Sequence, residues 1–253
     1  MPWRGCLIDV GGVLHLGDAA LPGAAQALAA LRRLGVPFRL LSNTSSRSRR
    51  ALAARLAAAG LPVGQEDLLT ATVATAAHLR RVGGACLFFV RADVRDDLVG
   101  IPEDADRPAH VVVGDTPEIF GREAMDRACR ALRAGADLIA MAKNRWFATA
   151  AGPAVDIGAA VAALEYAADV HATVIGKPSP TFFLEGARSL GLAPAEVVMV
   201  GDDPEADVVG AMEAGLGGVF VGAADAWAVP GRAPQTTIRT VAELPGLFGR
   251  VRP

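Results

Sequence analysis

Cys6-Leu7-Ile8-Asp9-Val10-Gly11-Gly12 sets a short apolar run against an acid and then two glycines. A run without alternation suits a strand buried on both faces, as strands are inside a parallel sheet. Its acid then stands at the strand's carboxyl end, where open parallel sheets gather their ligands. Three later stretches repeat the arrangement: Phe38-Arg39-Leu40-Leu41 leads into Ser42-Asn43, Thr173-Val174-Ile175 into Gly176-Lys177, and Val197-Val198-Met199-Val200 into Gly201-Asp202-Asp203. Far apart in sequence, their polar ends can converge on one crevice.

Between these strands the pattern is helical. Leu28, Leu31 and Leu34 share one face of a helix expected over residues 24 to 34, opened by Pro22-Gly23 and ended by Gly35. A second helix is expected over 45 to 59, then helices over 181 to 190 and 206 to 214 and a strand over 218 to 221. After Thr70 a separate block begins, with strands at 86 to 90, 110 to 113 and 138 to 141 and helices at 122 to 133 and 159 to 168. Strands alternating with helices identify an α/β fold. The expected architecture is a three-layer, doubly wound, Rossmann-like parallel sheet formed by residues 1–73 and 174–253, interrupted by an inserted α/β cap at 74–173.

The 253 residues are enough for such a core and insert. A formal charge of −2 gives no global electrostatic case for nucleic acid or an anionic membrane, and every apolar segment stops short of a spanning length. Met1-Pro2-Trp3-Arg4 leads straight into a strand rather than a signal peptide. Cys6, Cys86 and Cys129 are odd in number, widely spaced and without a CxxC pair, which points to a reduced, cytoplasmic protein. Lys143 and Lys177 are the only lysines among 25 basic residues. Where arginine serves almost everywhere, a retained ammonium suggests a position that needs a compact point charge.

Each polar cluster has two readings. Asp9 is a nucleophile or metal ligand, or else an Asx-turn closing a strand. Ser42-Asn43 is a helix N-cap, and a helix N-terminus also offers N–H groups to phosphate. Lys177, between Gly176 and Pro178, reads as functional rather than solvated. Asp202, Asp203 and Asp207 crowd carboxylates past a buried strand; helix-dipole acids account for one or two, and Mg²⁺ for the crowding.

Together, in this order, the clusters resemble the haloacid dehalogenase superfamily of phosphatases, in the branch whose large cap lies between the second and third motifs. Leu164-Glu165-Tyr166-Ala167, Val174-Ile175-Gly176-Lys177-Pro178-Ser179-Pro180 and Val198-Met199-Val200-Gly201-Asp202-Asp203 resemble the phospholysine phosphohistidine inorganic pyrophosphate phosphatase group especially. The resemblance implies that Asp9 attacks phosphorus and becomes a transient aspartyl phosphate. It implies Mg²⁺ held by Asp9, the Gly11 carbonyl and Asp202, with Asp203 or Asp207 in support. Ser42, the Asn43 N–H and Lys177 would grip the phosphoryl oxygens of a small phosphorylated substrate. Lys143, Asn144 and Arg145 fall in the substrate-selecting loop, and caps of this branch pair into homodimers. One residue departs from the pattern: Gly11 stands where most such phosphatases carry an acid–base aspartate, and the related group named above a serine. His15 is the nearest titratable replacement. The rival expectation is a phosphate-binding or scaffold protein that keeps fold and metal site without turnover.

Overall fold

Strand Gly5–Asp9 runs inside a six-stranded sheet in a computed structural model of the chain, which describes residues 3–149 and 151–249. The sheet order is Thr236–Ile238, Gly217–Val221, Val197–Gly201, Gly5–Asp9, Phe38–Ser42, Leu68–Thr70. Gly5–Asp9 is parallel to both neighbours, with Ile8 opposite Val200 on one side and Leu40 on the other. The chain leaves this strand for one neighbour and returns much later to the other. That reversal puts a topological switch point at Asp9.

The five residues of Gly5–Asp9 are buried because both faces are covered. Cys6 and Ile8 join a cluster with Leu28 and Leu31 of helix Ala24–Arg33, Leu56 of helix Arg49–Ala58, and Leu244. Leu7 faces the opposite way, against helix Pro180–Ser189, where a Cβ on Gly186 would meet its side chain at 2.7 Å. Full burial of such a side chain contributes about 1.5–3 kcal/mol, so slipping the strand by one residue, which exchanges its faces, is strongly disfavoured. This is how the apolar run aims Asp9.

The chain divides into two compact units: residues 1–42, 50–69 and 177–253, and residues 43–49 with 70–176. The second unit has its own parallel sheet, in the order Thr173–Val174, Asp137–Ala140, His110–Val113, Cys86–Phe89. Val111, Val113 and Leu138 pack in one cluster with Ala128 and Leu132 of helix Arg122–Arg133 and with Val161 and Leu164 of helix Gly158–Ala168. An antiparallel hairpin, Trp146–Thr149 with Gly152–Val155, projects from it.

This partition differs from the boundaries read in the sequence. Residues 43–49 group with the second unit because Ser45 Oγ accepts the Asp115 N–H, and the N–H groups of Ser48 and Arg49 donate to Asp93 and Asp97. The same bonds explain why the helix expected from 45 begins only at Arg49. Residues 174–176 also belong to the second unit, since the Ile175 and Gly176 N–H groups continue the ladder onto Ala140 and Met141. The helix expected over 206 to 214 begins two residues earlier, as a π-helical segment, Pro204–Val209, and continues as a short α-helix, Gly210–Glu213. No described helix is long and apolar enough to cross a membrane.

Candidate active site

Asp9 ends its strand buried, with a single cation beside it. Lys177 Nζ donates to Asp9 Oδ1 at 2.5 Å and to Asp207 Oδ1 at 2.6 Å, and both partners lie in the same unit. Asp202, at the end of the adjacent strand Val197–Gly201, completes the group: Asp9, Asp202 and Asp207 each offer a carboxylate oxygen within 4.8 Å of the others. Among the described residues this is the only cluster of acidic, histidine or cysteine side chains arranged to hold a metal ion.

The electrostatics follow from three carboxylates sharing one ammonium. Burial pushes the Asp9 carboxyl above its ordinary range; Lys177 pulls it back, and Asp202 repels it further upward. Asp207 is raised chiefly by burial, against the pull of Lys177. Asp202 is the exposed member, yet lost hydration against the neighbouring protein, and then repulsion from Asp207, push it up to about 6. Burial alone would lower Lys177, but Asp207 and Asp9 attract its charge so strongly that it is held protonated, above the ordinary lysine range. Hard oxygen donors with a surplus of negative charge and one member open to solvent fit a divalent cation. Asp207 is the least available of the three, because Oδ1 takes Lys177 and Oδ2 accepts the Asp203 N–H at 3.3 Å.

Two glycines make the crowding sterically feasible. Gly201 leaves the space that the Asp207 carboxylate fills. Gly12 sits at φ +76°, and a Cβ there would run into the Asp202 carboxylate. Gly11 is different: it is not among the positive-φ glycines, and a Cβ on it would meet nothing within 4 Å. Gly12→Ala is therefore expected to cost about 1–3 kcal/mol through backbone strain and displacement of Asp202. Gly11→Ala should be neutral or slightly stabilising. Urea midpoints of the two variants check this; equal losses would show that the turn is not constrained as described.

The remaining predicted residues separate. Ser42 is the last residue of strand Phe38–Ser42, half-buried beside Asp9's strand. Asp203 caps the turn after it, accepting the Glu205 and Ala206 N–H groups at 2.9 and 2.8 Å, so the helix-end explanation holds for this acid. His15 Nδ1 lies 3.0 Å from the Gly17 carbonyl, which can only accept, so the ring's Nδ1–H is committed to the turn of a short hairpin, His15–Leu16 with Ala19–Ala20. In the second unit, Asn43 Nδ2 donates to Asn144 Oδ1 at 3.5 Å, and Arg145 is exposed. Gly176 has no side chain where the Asn43 amide lies, since a Cβ would sit 2.7 Å from Oδ1.

Lys143 has a partner that local spacing does not disclose. Its Nζ donates to both oxygens of Glu165, at 2.8 and 2.6 Å, and Glu165 also accepts the Ala172 N–H. Burial works against the Glu165 carboxylate, but these bonds more than offset it and hold the group below its ordinary range. A depressed carboxyl stabilises the fold above its unfolded pKa and loses that contribution as pH falls through the folded one. Glu165→Gln should accordingly cost about 1 kcal/mol or less at neutral pH, because Lys143 is partly exposed. The difference from the native chain should vanish below the glutamate range. Thermal unfolding at both pH values tests it; a loss that persists in acid would contradict the ion pair.

With the geometry in view, the comparisons are informative. Residues 6–101 match the family model described as haloacid dehalogenase-like hydrolase, and residues 174–244 match one described as haloacid dehalogenase hydrolase-like. The chain is 39% identical over 218 residues to the human haloacid dehalogenase-like hydrolase domain-containing protein 2, covering 86% of this chain and 83% of that one. It is 33% identical to the rat phospholysine phosphohistidine inorganic pyrophosphate phosphatase, covering 84% and 80%. Among solved structures, the p-nitrophenyl phosphatase from Archaeoglobus fulgidus superposes with a TM-score of 0.90 at 29% identity, covering 97% of this chain and 99% of that one.

Proposed function

Because this chain belongs to the haloacid dehalogenase-like hydrolases, we propose that it is a Mg²⁺-dependent phosphohydrolase acting on a small phosphorylated substrate through Asp9. The observation that supports the reading is Lys177 clamped between Asp9 and Asp207, with Asp9 and Asp202 at the carboxyl ends of adjacent parallel strands. Mg²⁺ would be held by Asp9, the Gly11 carbonyl and Asp202, where it would offset phosphate charge that otherwise repels the nucleophile. Asp207 serves behind them by fixing Lys177. Asp203 supports by capping the turn that carries Asp202 and Asp207.

In this reading an Asp9 carboxylate oxygen forms the new bond to phosphorus, and the leaving atom departs with the electron pair of the broken bond. Water then attacks the aspartyl phosphate, releasing inorganic phosphate and restoring Asp9. Lys177 stays protonated throughout, holding the carboxylate in place and neutralising phosphoryl oxygen charge. Ser42 and the Asn43 N–H are assigned to the same oxygens on the family pattern. Asn144 and Arg145 are assigned to substrate selection, with Lys143 positioning that segment through Glu165.

Gly11 narrows the substrate class. A side chain of one hydrogen donates no proton to a leaving group, so compounds that depart readily unassisted should be favoured: phosphoramidates, acyl phosphates and aryl phosphates. The names of two relatives, a phospholysine phosphohistidine phosphatase and a p-nitrophenyl phosphatase, support that class.

The test is p-nitrophenyl phosphate hydrolysis in Mg²⁺ and after chelation with EDTA. Chelation should lower the rate by ~10²-fold or more, with recovery on adding Mg²⁺. An EDTA-insensitive rate would overturn the metal assignment. Metal-dependent phosphate binding without turnover would favour the binding-protein alternative, for which the absent acid at Gly11 is the one specific argument.

A further inference from the structure

The peptide unit joining Gly11 to Gly12 is rigid and planar, so whatever holds the Gly12 N–H also sets the direction of the Gly11 carbonyl, which points the opposite way. The Gly12 N–H donates to the His15 carbonyl at 2.9 Å, and Gly11 and His15 form an isolated β-bridge. His15 in turn begins the hairpin His15–Leu16 with Ala19–Ala20. The Gly11 carbonyl assigned to Mg²⁺ is thereby aimed by a hairpin that follows it in the chain.

That hairpin has little of its own to hold it. It is two residue pairs long, Leu16, Gly17, Asp18 and Ala19 are exposed, and a ribbon of this size is marginally stable by itself. Its base is anchored by buried Val13 and Leu14, with the Leu21 N–H donating to the Leu14 carbonyl at 2.9 Å. Its tip is held by Arg55, from helix Arg49–Ala58. Arg55 Nη2 donates to the Gly17 carbonyl at 2.7 Å, and Nε donates to Asp18 Oδ1 at 3.0 Å, with Nη2 2.9 Å from the same oxygen. His15 Nδ1 reaches that Gly17 carbonyl too. One guanidinium fork therefore grips backbone and side chain at the tip together, which the single ammonium of a lysine does not reproduce. All of these residues lie in the unit that carries Asp9.

We infer that Arg55 is a positioning residue for the proposed reaction: by latching the hairpin tip it keeps the His15 carbonyl on the Gly12 N–H, and so keeps the Gly11 carbonyl aimed as a metal ligand. The inference rests on the assignment of that carbonyl to Mg²⁺. An ordinary surface ion pair contributes a little stability and nothing else. Arg55 differs because its partners sit on a ribbon whose other end is the turn after Asp9, where Gly12 already lies so close to Asp202 that a Cβ would collide with its carboxylate.

The test follows amides of the full chain by NMR. In Arg55→Gln, solvent exchange at the Gly12 amide should speed up by ~10-fold, because two charge-assisted bonds, discounted for their exposure, account for about that factor. The Val10 amide, which donates to the Leu41 carbonyl inside the sheet, should exchange as in the native chain. A Mg²⁺ titration read from the same amides should show affinity reduced by ~3-fold, the loss expected when the turn is closed in about a third of molecules. Asp18→Ala breaks the latch from an exposed position and should reproduce both changes at reduced size. Unchanged exchange at Gly12 would overturn the inference, as would equal acceleration at Val10, the mark of a merely structural arginine. Mg²⁺ binding that depends on Arg55 without any hydrolysis of p-nitrophenyl phosphate would sink the phosphohydrolase reading and leave the latch standing. Native rates and native Mg²⁺ affinity in Arg55→Gln would do the reverse.

Discussion

Asp9→Asn is expected to reduce hydrolysis of an aryl phosphate by ~10⁴-fold or more while leaving the protein folded. Asparagine preserves the shape of the side chain but replaces an anionic oxygen with an amide that attacks phosphorus poorly. Folding should survive for a structural reason: Lys177 keeps its bond to Asp207, so no buried ammonium is left without a counter-charge. The substitution therefore separates chemistry from architecture, which removal of Lys177 would not, since that leaves Asp9 and Asp207 buried and facing each other. Steady-state rates alongside thermal unfolding curves decide the matter. A variant as fast as the native chain would remove Asp9 as nucleophile, and with it the phosphohydrolase reading.

Gly11→Asp is expected to act in the other direction. Positioned acid–base catalysis contributes about 10²–10⁴-fold, so supplying the carboxyl should raise kcat/KM on an alkyl phosphate within that range. Aryl phosphates, which leave without protonation, should gain much less. The structure favours the experiment because a Cβ at Gly11 enters open space on an ordinary backbone, whereas the same change at Gly12 collides with Asp202. His15 has its Nδ1–H on the Gly17 carbonyl, which fixes the ring and leaves Nε2 as the nitrogen that would exchange a proton. The check is a pair of pH–rate profiles for alkyl and aryl substrates. No alkyl gain at any pH would show that protonation of the leaving group does not limit the reaction.

Much of the site was legible from residue order. Asp9, Lys177 and Asp202 each follow a strand-length apolar run, and the scarcity of lysine singled out Lys177 before any geometry was known. The part played by Asp207 was less legible: it was expected as support for the metal, and it is also the second anchor of the lysine. Asp203, adjacent to Asp202 and chemically identical, proved to be a cap. Nothing in the composition of Gly201-Asp202-Asp203 distinguishes the two acids, because the difference is which way each side chain leaves the turn. Likewise Gly11 and Gly12 read alike in sequence, and only φ and the position of Asp202 tell them apart.

Unbroken apolar runs and helical periodicity by themselves determined the α/β class and the strand-end positions of Asp9 and Asp202, because burial of a strand or of a helix face is a local property written over a few residues. The tertiary structure alone decided that Lys177 meets Asp9, 168 positions away, that Lys143 meets Glu165, and that residues 43–49 join the second unit. Those pairings arise from charge compensation and hydrogen-bond satisfaction between segments brought together by folding, and no local pattern of residues encodes which distant carboxylate a buried cation will find.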